Sequence, residues 1–230
     1  MSVALDIYIG FDRNEIVSYH VLCQSILEKS SRPVRFTPLN LRNLSSCFSR
    51  DRNALQSTEF SFSRFLVPYL SGFAGWSLFL DCDMLAMTDF SELFDLADPT
   101  KAVMVCKHDY QPKEDSKFLG QVQTKYEKKN WSSCILFNNA KCRALSPEYV
   151  NSATGLELHQ FKWLESEGQI GDIPLDWNYL VDCGSEVEHV SFVHYTLGGP
   201  FFKEFYNVEY APEWYRERDD MLRCLQRDQS

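Results

Sequence analysis

The sequence lacks the features of a membrane or secreted protein. No apolar run approaches the roughly 20 residues that a membrane-spanning helix needs. The first ten residues contain no basic segment, and they place Asp6 too early for the apolar core of a secretory leader. We therefore expect no transmembrane segment and a cytoplasmic location.

Basic residues are outnumbered. The 23 Lys and Arg residues face 32 Asp and Glu residues, which gives a formal net charge of −9. Binding to nucleic acid without sequence preference needs a basic face, and binding to anionic lipid needs a cluster of Lys and Arg. The charge balance therefore argues against a nucleic-acid partner and against a membrane-surface protein.

None of the eight cysteines forms a C-x-x-C pair, which argues against a zinc knuckle and against a thioredoxin-type site. A chain of 230 residues buries about 70% of its unfolded surface and needs no disulfides for stability. Cys23, Cys106 and Cys134 lie in apolar runs, where a free cysteine packs as a small hydrophobic residue. We expect reduced cysteines, which is typical of the cytosol.

The composition is that of a globular protein, with 44% hydrophobic and 14% aromatic residues. There is no internal repeat, no low-complexity tract and no Pro/Gly/Ser-rich linker, so we expect one domain over residues 1–230. Apolar runs predict strands over 3–10, 33–39, 76–80, 102–106, 134–137 and 187–194. Helical spacing predicts helices over 16–27, 60–69, 91–96 (or from 88), 156–164 and 213–226.

Alternation of strands and helices predicts an α/β fold with a sheet between helices. Residues 40–59 are rich in Ser, Asn and Arg and are interpreted as a loop. Residues 107–130 are polar and highly charged, which favours a solvated helix and loop. A mobile lid over this segment is the alternative.

The strongest chemical signal is the pair Asp81 and Asp83, which follows the apolar run Trp76–Leu80. Two carboxylates at i and i+2 project to the same side of an extended chain and repel each other unless a cation lies between them. Oxygen ligands of this kind suit Mg²⁺ or Mn²⁺, and the carboxyl ends of strands are where α/β sheets bind ligands. Two solvated turn aspartates are the alternative, although the flanking apolar residues make an exposed turn less favourable.

A second signal is His194, which ends an apolar run and precedes Gly198, Gly199 and Lys203. An imidazole can complete a metal shell that carboxylates begin, and glycines let backbone N–H groups approach a diphosphate. A packed histidine, a simple turn and a surface lysine are the alternatives.

A third signal is Arg64, which lies among apolar residues upstream of the aspartates. A partly buried arginine needs an anionic or aromatic partner. A structural aspartate and a substrate phosphate are equally compatible with this pattern.

These motifs occur in a characteristic order. A strand ending in Gly-Phe-Asp is followed by Ser-x-x-Arg-Phe at 61–65, Leu-Asp-x-Asp-Met at 80–84, a strand ending in Phe-Asn, and His-Tyr-x-x-Gly-Gly-Pro at 194–200. The order resembles the nucleotide-sugar glycosyltransferases of the GT-A fold over residues 3–205. The resemblance is closest to glycosyltransferase family 8, which includes glycogenin and bacterial lipopolysaccharide galactosyl- and glucosyltransferases.

The resemblance implies a Rossmann-like mixed sheet in one domain, with a nucleotide-binding half over about 1–100 and an acceptor-side half over about 101–230. It implies transfer of a hexose from a nucleoside diphosphate sugar, foremost a UDP-sugar, to a hydroxyl of a glycan or another acceptor. It also implies retention of anomeric configuration and dependence on Mn²⁺ or Mg²⁺.

The resemblance also assigns roles to residues by position. Metal binding falls to Asp81, Asp83 and His194, with Asp83 the firmer ligand. Donor contacts fall to Tyr8, Gly10, Phe11, Asp12, Arg64, Asp81, Ser133, Gly198, Gly199 and Lys203. Gln160 and Asp83 are the predicted catalytic residues. Trp177 and Asn178 match a segment expected near the active site, with core packing of Trp177 as the alternative.

Two departures from the family pattern concern the donor sugar. The family's Asn-Ala-Gly is replaced by Trp131-Ser132-Ser133-Cys134, and its Asp-Gln pair by Leu158-His159-Gln160. The Ser133 substitution favours an alternative, a non-catalytic nucleotide-sugar-binding protein. A sugar nucleotidyltransferase is a further alternative, although the segment from Gly10 to Arg13 is a poor phosphate-clamping loop.

Overall fold

The computed structural model describes residues 4–51, 56, 58–109, 127–183 and 187–223. The strands of this part are β1 (Leu5–Gly10), β2 (Val34–Leu39), β3 (Trp76–Leu80), β4 (Met84–Ala86), β5 (Val103–Cys106), β6 (Cys134–Asn138), β7 (Ile170–Ile173), β8 (Tyr179–Leu180) and β9 (Phe192–His194). Its α-helices are α1 (Ile16–Lys29), α2 (Val67–Leu70), α3 (Ser91–Asp95), α4 (Pro147–Ser152), α5 (Gly155–His159) and α6 (Ala211–Leu222).

The main sheet has the order β2-β1-β3-β6-β5-β7. Strands β1, β2 and β3 are mutually parallel, whereas β6 runs antiparallel to both β3 and β5. The central strands are apolar and buried because both faces of the sheet are covered. The predicted α/β architecture with a mixed sheet is confirmed.

A smaller sheet of order β4-β9-β8 positions the candidate site. Strand β4 pairs antiparallel with β9, and Met84 lies opposite His194 in the register. Since β4 follows directly after Asp83, this pairing brings the aspartates and the histidine together across more than a hundred residues of sequence. Helix α1 packs against β4 and against α6.

Several predicted elements differ in length from those observed. The predicted helix over 60–69 is a 3-10 turn (Ser63–Leu66) followed by α2, and Pro68 lies at the start of that helix, where its missing N–H costs nothing. Helix α5 ends at His159 because Phe161 adopts a left-handed backbone with φ 56°. Strand β9 is only the last part of the predicted strand over 187–194.

The polar segment 107–130 can be compared only at its ends, because residues 110–126 lie outside the described residues. The predicted closing helix over 213–226 also extends past the described residues, and α6 ends at Leu222. No helix in the described ranges is both long and apolar enough to cross a membrane.

Candidate functional site

Asp81, Asp83 and His194 form one cluster. Each offers a ligand atom, and these atoms all lie within 4.8 Å of one another. Asp83 Oδ1 and His194 Nε2 lie 3.4 Å apart. Two carboxylates and an imidazole are a chemically sound donor set for a divalent cation, so the residues present fit the predicted metal.

The backbone holds this cluster in place from two sides. The Asp81 N–H donates to the carbonyl of Ser133 at 2.9 Å, and the Tyr195 N–H donates to the carbonyl of Asp83, also at 2.9 Å. The first bond anchors the end of β3 to the turn before β6. The second continues the pairing of β4 with β9, so each predicted metal ligand sits at or next to a strand end.

Arg64 lies beside the cluster and is 5% exposed. Its Nη1 is 2.8 Å from Asp81 Oδ1 and donates to the carbonyl of Ser132 at 2.7 Å. The guanidinium carbon also lies 4.9 Å and 5.2 Å from the ring centroids of Phe79 and Phe60. The structure thus supplies the aspartate partner that the sequence left open, while contact of Arg64 with a donor stays a prediction.

His194 is buried and reaches toward Asn178, with 2.9 Å between His194 Nδ1 and Asn178 Oδ1. Ser133, predicted to contact the donor sugar, is also buried. Its hydroxyl donates to the carbonyl of Asn130 and accepts from the Asn178 amide. Ser133 is therefore linked to His194 through Asn178, and its hydroxyl already has hydrogen-bond partners in Asn130 and Asn178.

The predicted nucleotide-binding residues lie at the carboxyl end of β1, next to the end of β3. Tyr8 is buried within β1, and burial raises the pKa of its phenol. Gly10 is required by packing, since a Cβ there would lie 2.4 Å from the Phe60 ring.

Asp12, in the turn after β1, accepts hydrogen bonds from the backbone N–H groups of Asn14 at 2.8 Å and Glu59 at 2.9 Å. Phe11, half-buried, lies 5.4 Å from the ring of Tyr19.

The remaining predicted residues are less closely tied to the cluster. Gly198 has φ 139°, and a Cβ there would meet the Phe205 ring at 2.6 Å, so its glycine identity has a local reason. At Gly199 a Cβ would lie 2.4 Å from Phe201.

Lys203 is exposed in a 3-10 turn, and Gln160 is half-buried just after α5. Within the described ranges, no hydrogen bond or ion pair joins Lys203 or Gln160 to the cluster.

The sequence reasoning missed Glu15. This carboxyl group is 1% exposed and accepts a hydrogen bond from the Cys82 thiol at 3.0 Å. Burial, followed by repulsion from Asp83, raises the pKa of Glu15 well above its usual range. No sequence signal separates Glu15 from the exposed polar residues that precede α1.

His108 was missed as well. It is buried two residues beyond the end of β5, and its Nε2 has no hydrogen-bond partner among the described residues. Burial and, to a smaller extent, the nearby His194 lower the pKa of His108 to about 4. Its position after a buried strand is the same signal that marked Asp81, so the sequence did contain a clue.

Three solved structures with a similar fold are glycosyltransferases. WbbM, a bifunctional glycosyltransferase, matches with TM-score 0.66 and 16% identity over 95% of this chain, and this chain spans about half (50%) of its length. The galactosyltransferase LgtC, solved with donor and acceptor sugar analogs, matches with TM-score 0.62 and 13% identity over 96% of this chain and 98% of its own. GlyE of Streptococcus pneumoniae matches with TM-score 0.61 and 14% identity, covering 96% of this chain and 62% of its own. At such identities the likeness shows the fold, which is GT-A as predicted.

No protein-family model matches the chain. A relative by sequence is Protein CDI of Arabidopsis thaliana, which is 46% identical over 223 residues. The match covers 93% of this chain and 86% of that protein. The chain thus has the GT-A fold and belongs to the family of Protein CDI.

Proposed function

We propose that the chain is a metal-dependent glycosyltransferase that moves a hexose from a nucleoside diphosphate sugar, foremost a UDP-sugar, to an acceptor hydroxyl with retention of configuration. The observation that carries the proposal is the cluster of Asp81, Asp83 and His194 at the strand ends of a GT-A sheet. The order of motifs that resembles glycosyltransferase family 8 supports the same reaction.

Asp81, Asp83 and His194 hold the divalent cation in this proposal, with Mn²⁺ preferred to Mg²⁺ because one ligand is an imidazole. When bound, the cation offsets the negative charge that builds on the leaving diphosphate. Arg64 keeps Asp81 oriented toward the cluster and adds positive charge on the same side.

The first half of the chain, to about residue 100, binds the nucleotide at the carboxyl end of β1, where Tyr8, Gly10, Phe11 and Asp12 lie. The diphosphate of the donor is contacted by Gly198, Gly199 and Lys203. Gln160 serves as a catalytic residue next to the sugar, and Asp83 acts through the cation.

The second half, from about residue 101, receives the acceptor. LgtC was solved with donor and acceptor sugar analogs, which supports a glycan or another hydroxyl compound as the acceptor of this chain. The reduced cysteines expected from the sequence support a cytoplasmic reaction.

The test combines binding and turnover. A thermal-shift panel of nucleoside diphosphate sugars, each with Mn²⁺ or with EDTA, identifies the donor, because a ligand at 100 times its Kd stabilises by about 2.7 kcal/mol. Release of the nucleoside diphosphate from that donor is then measured by chromatography. We expect release with Mn²⁺, its loss in EDTA and its loss in Asp83→Asn.

A matched control is Asp172→Asn, which removes an exposed carboxylate that pairs with Lys107. This variant should retain both the thermal shift and the release. Stabilisation by no sugar nucleotide, or full release in EDTA, contradicts the proposed function.

A further inference from the structure

We propose that Asn178 and Ser133 are positioning residues that hold His194 in one tautomer, with the proton on Nδ1 and Nε2 turned toward Asp83. The inference deepens the proposed function and rests on it, since it concerns how the third ligand of the cation is kept ready. In this role the two residues act through His194 and are not themselves ligands of the cation.

The direction of the hydrogen bonds is set at the backbone of Asn130. Its carbonyl oxygen lies 2.6 Å from Ser133 Oγ. A carbonyl only accepts, so the single hydroxyl proton of Ser133 points to it. Asn130 has φ 65°, a left-handed conformation that asparagine tolerates better than most residues, and this turn places its carbonyl over the serine.

Ser133 Oγ therefore has only lone pairs left for Asn178. The Asn178 side-chain nitrogen lies 2.9 Å from Ser133 Oγ and 3.4 Å from the Asn130 carbonyl, and both of these atoms accept. The amide of Asn178 consequently turns its NH₂ group to the serine and its oxygen to the histidine.

The amide oxygen of Asn178 only accepts, so the proton lies on His194 Nδ1, 2.9 Å away. A neutral imidazole has one N–H, which leaves the lone pair on Nε2. Nε2 faces Asp83 Oδ1 at 3.4 Å, and two electron-rich atoms at this distance need a positive species between them, a proton or a cation. The tautomer with its proton on Nε2 would direct an N–H where the cation binds.

Burial makes this arrangement rigid. Asn178 is fully buried, and Ser133 and His194 are each 2% exposed. Water cannot replace a lost partner at such a site without rearrangement of the core. Partners of this kind behind a metal-binding histidine typically change metal affinity by 10–100-fold when they are removed.

The first experiment tests the hydrogen-bond chain itself and needs no metal. Protein labelled with ¹⁵N-histidine is studied by ¹H–¹⁵N correlation NMR in EDTA at pH 8, and the His194 signals are assigned by their loss in His194→Ala. We expect a proton on Nδ1 in the wild type and its loss from Nδ1 in Asn178→Leu. A wild-type His194 whose Nδ1 carries no proton overturns the proposal.

The second experiment measures the consequence for the cation. Mn²⁺ is titrated in the presence of UDP, and free Mn²⁺ is followed by electron paramagnetic resonance. Asn178→Leu should bind Mn²⁺ about 10–100-fold more weakly than the wild type. Wild-type affinity in Asn178→Leu overturns the proposal.

The chain offers a matched control in Asn139, which is also fully buried. Its amide donates to Ser77 Oγ at 2.8 Å and to the Ala74 carbonyl at 2.9 Å, away from the cluster. Asn139→Leu should lower the stability without changing the His194 tautomer or the Mn²⁺ affinity. An equal effect of both leucine variants on Mn²⁺ affinity means that general loosening of the core is the cause, and it overturns the positioning role.

The two experiments separate two failures. If the wild type binds no Mn²⁺ with UDP, the proposed function fails, while the NMR result still decides the hydrogen-bond chain. If Asn178→Leu does not fold, Ser133→Ala removes the acceptor that orients the amide and should loosen the preference for the Nδ1–H tautomer. An unchanged tautomer in Ser133→Ala contradicts its role.

Discussion

Replacement of Arg64 by alanine should destabilise the protein far more than replacement of an exposed arginine with the same kind of partner. Arg64 is 5% exposed and lies 2.8 Å from Asp81 Oδ1, whose side chain is 14% exposed. The substitution leaves this carboxylate without its cation in a poorly solvated place. It also removes the hydrogen bond to the Ser132 carbonyl and the contacts with the Phe60 and Phe79 rings.

Removal of one partner from a buried ion pair costs about 3–5 kcal/mol, because the other charge stays buried and uncompensated. The loss is a large part of the roughly 5–15 kcal/mol that stabilises a typical domain. Part of this loss arises because the Asp81 carboxylate no longer has the guanidinium beside it. The double substitution Arg64→Ala with Asp81→Asn should therefore be less destabilising than Arg64→Ala alone.

Urea unfolding in EDTA, followed by the fluorescence of the five tryptophans, measures these differences. Arg35→Ala is the control, since Arg35 also pairs with an aspartate, Asp6, at 2.7 Å but lies at the surface. Exposed ion pairs contribute little because water and salt screen them, so the urea midpoint of this control should barely move. An Arg64→Ala variant as stable as the Arg35→Ala control would refute the reasoning and leave Arg64 as a residue for the donor alone.

Two further predictions concern Gly10 and His108. Gly10→Ala should lower the free energy of unfolding by about 1–3 kcal/mol, because its Cβ would lie 2.4 Å from the Phe60 ring; Gly168→Ala, whose Cβ has 3.6 Å of space, is the control in the same urea assay. The pKa of His108 is about 4 in the folded protein against 6.5 for the ordinary side chain, so the unfolded chain binds the extra proton between these values. Stability should therefore fall as the pH drops from about 6.5 to 4, by about 2 kcal/mol at pH 5. His108→Gln should remove that part of the pH dependence, and an identical dependence in the variant would contradict the burial of a neutral imidazole.

The sequence predicts a strand well where one physical signal dominates. The run Trp76–Leu80, apolar except for the buried Ser77, gives the bounds of β3 directly, since both faces of that strand are buried. Strand β7 was missed because Gly171 and Asp172 interrupt its apolar pattern, and such interruptions are tolerated at the edge of a sheet. Helix α5 was predicted too long because its periodic pattern continues past Phe161, whose left-handed backbone has no local signature.

The candidate site was predictable only in part for a related reason. Asp81 and His194 each follow or end an apolar strand, so both can be found individually, but the β4–β9 pairing that joins them is a property of the tertiary structure. The contact between Asn178 and His194 depends on side-chain orientation, which no spacing rule describes. Ser133 is assigned to the donor sugar because its position resembles the family motif, and that role stays a prediction. The hydrogen bond from Asn178 to its hydroxyl has no counterpart in the spacing of the sequence.

The charges around the cluster explain how two carboxylates so close together are accommodated. Asp81 lies against Arg64, whereas Asp83 faces His194, so the two acidic groups have different neighbours. Arg64 is held beside Asp81 by its hydrogen bond to the Ser132 carbonyl. His194 faces Asp83 with Nε2, a ring nitrogen that can bind a metal ion. In the proposed function a divalent cation binds Asp81, Asp83 and His194, and the pair of Arg64 and Asp81 also contributes to the stability of the fold. Arg64 and Asn178 thus support the same site in different ways, and their variants should differ accordingly: loss of Arg64 lowers the free energy of unfolding in EDTA, whereas loss of Asn178 changes the affinity for Mn²⁺.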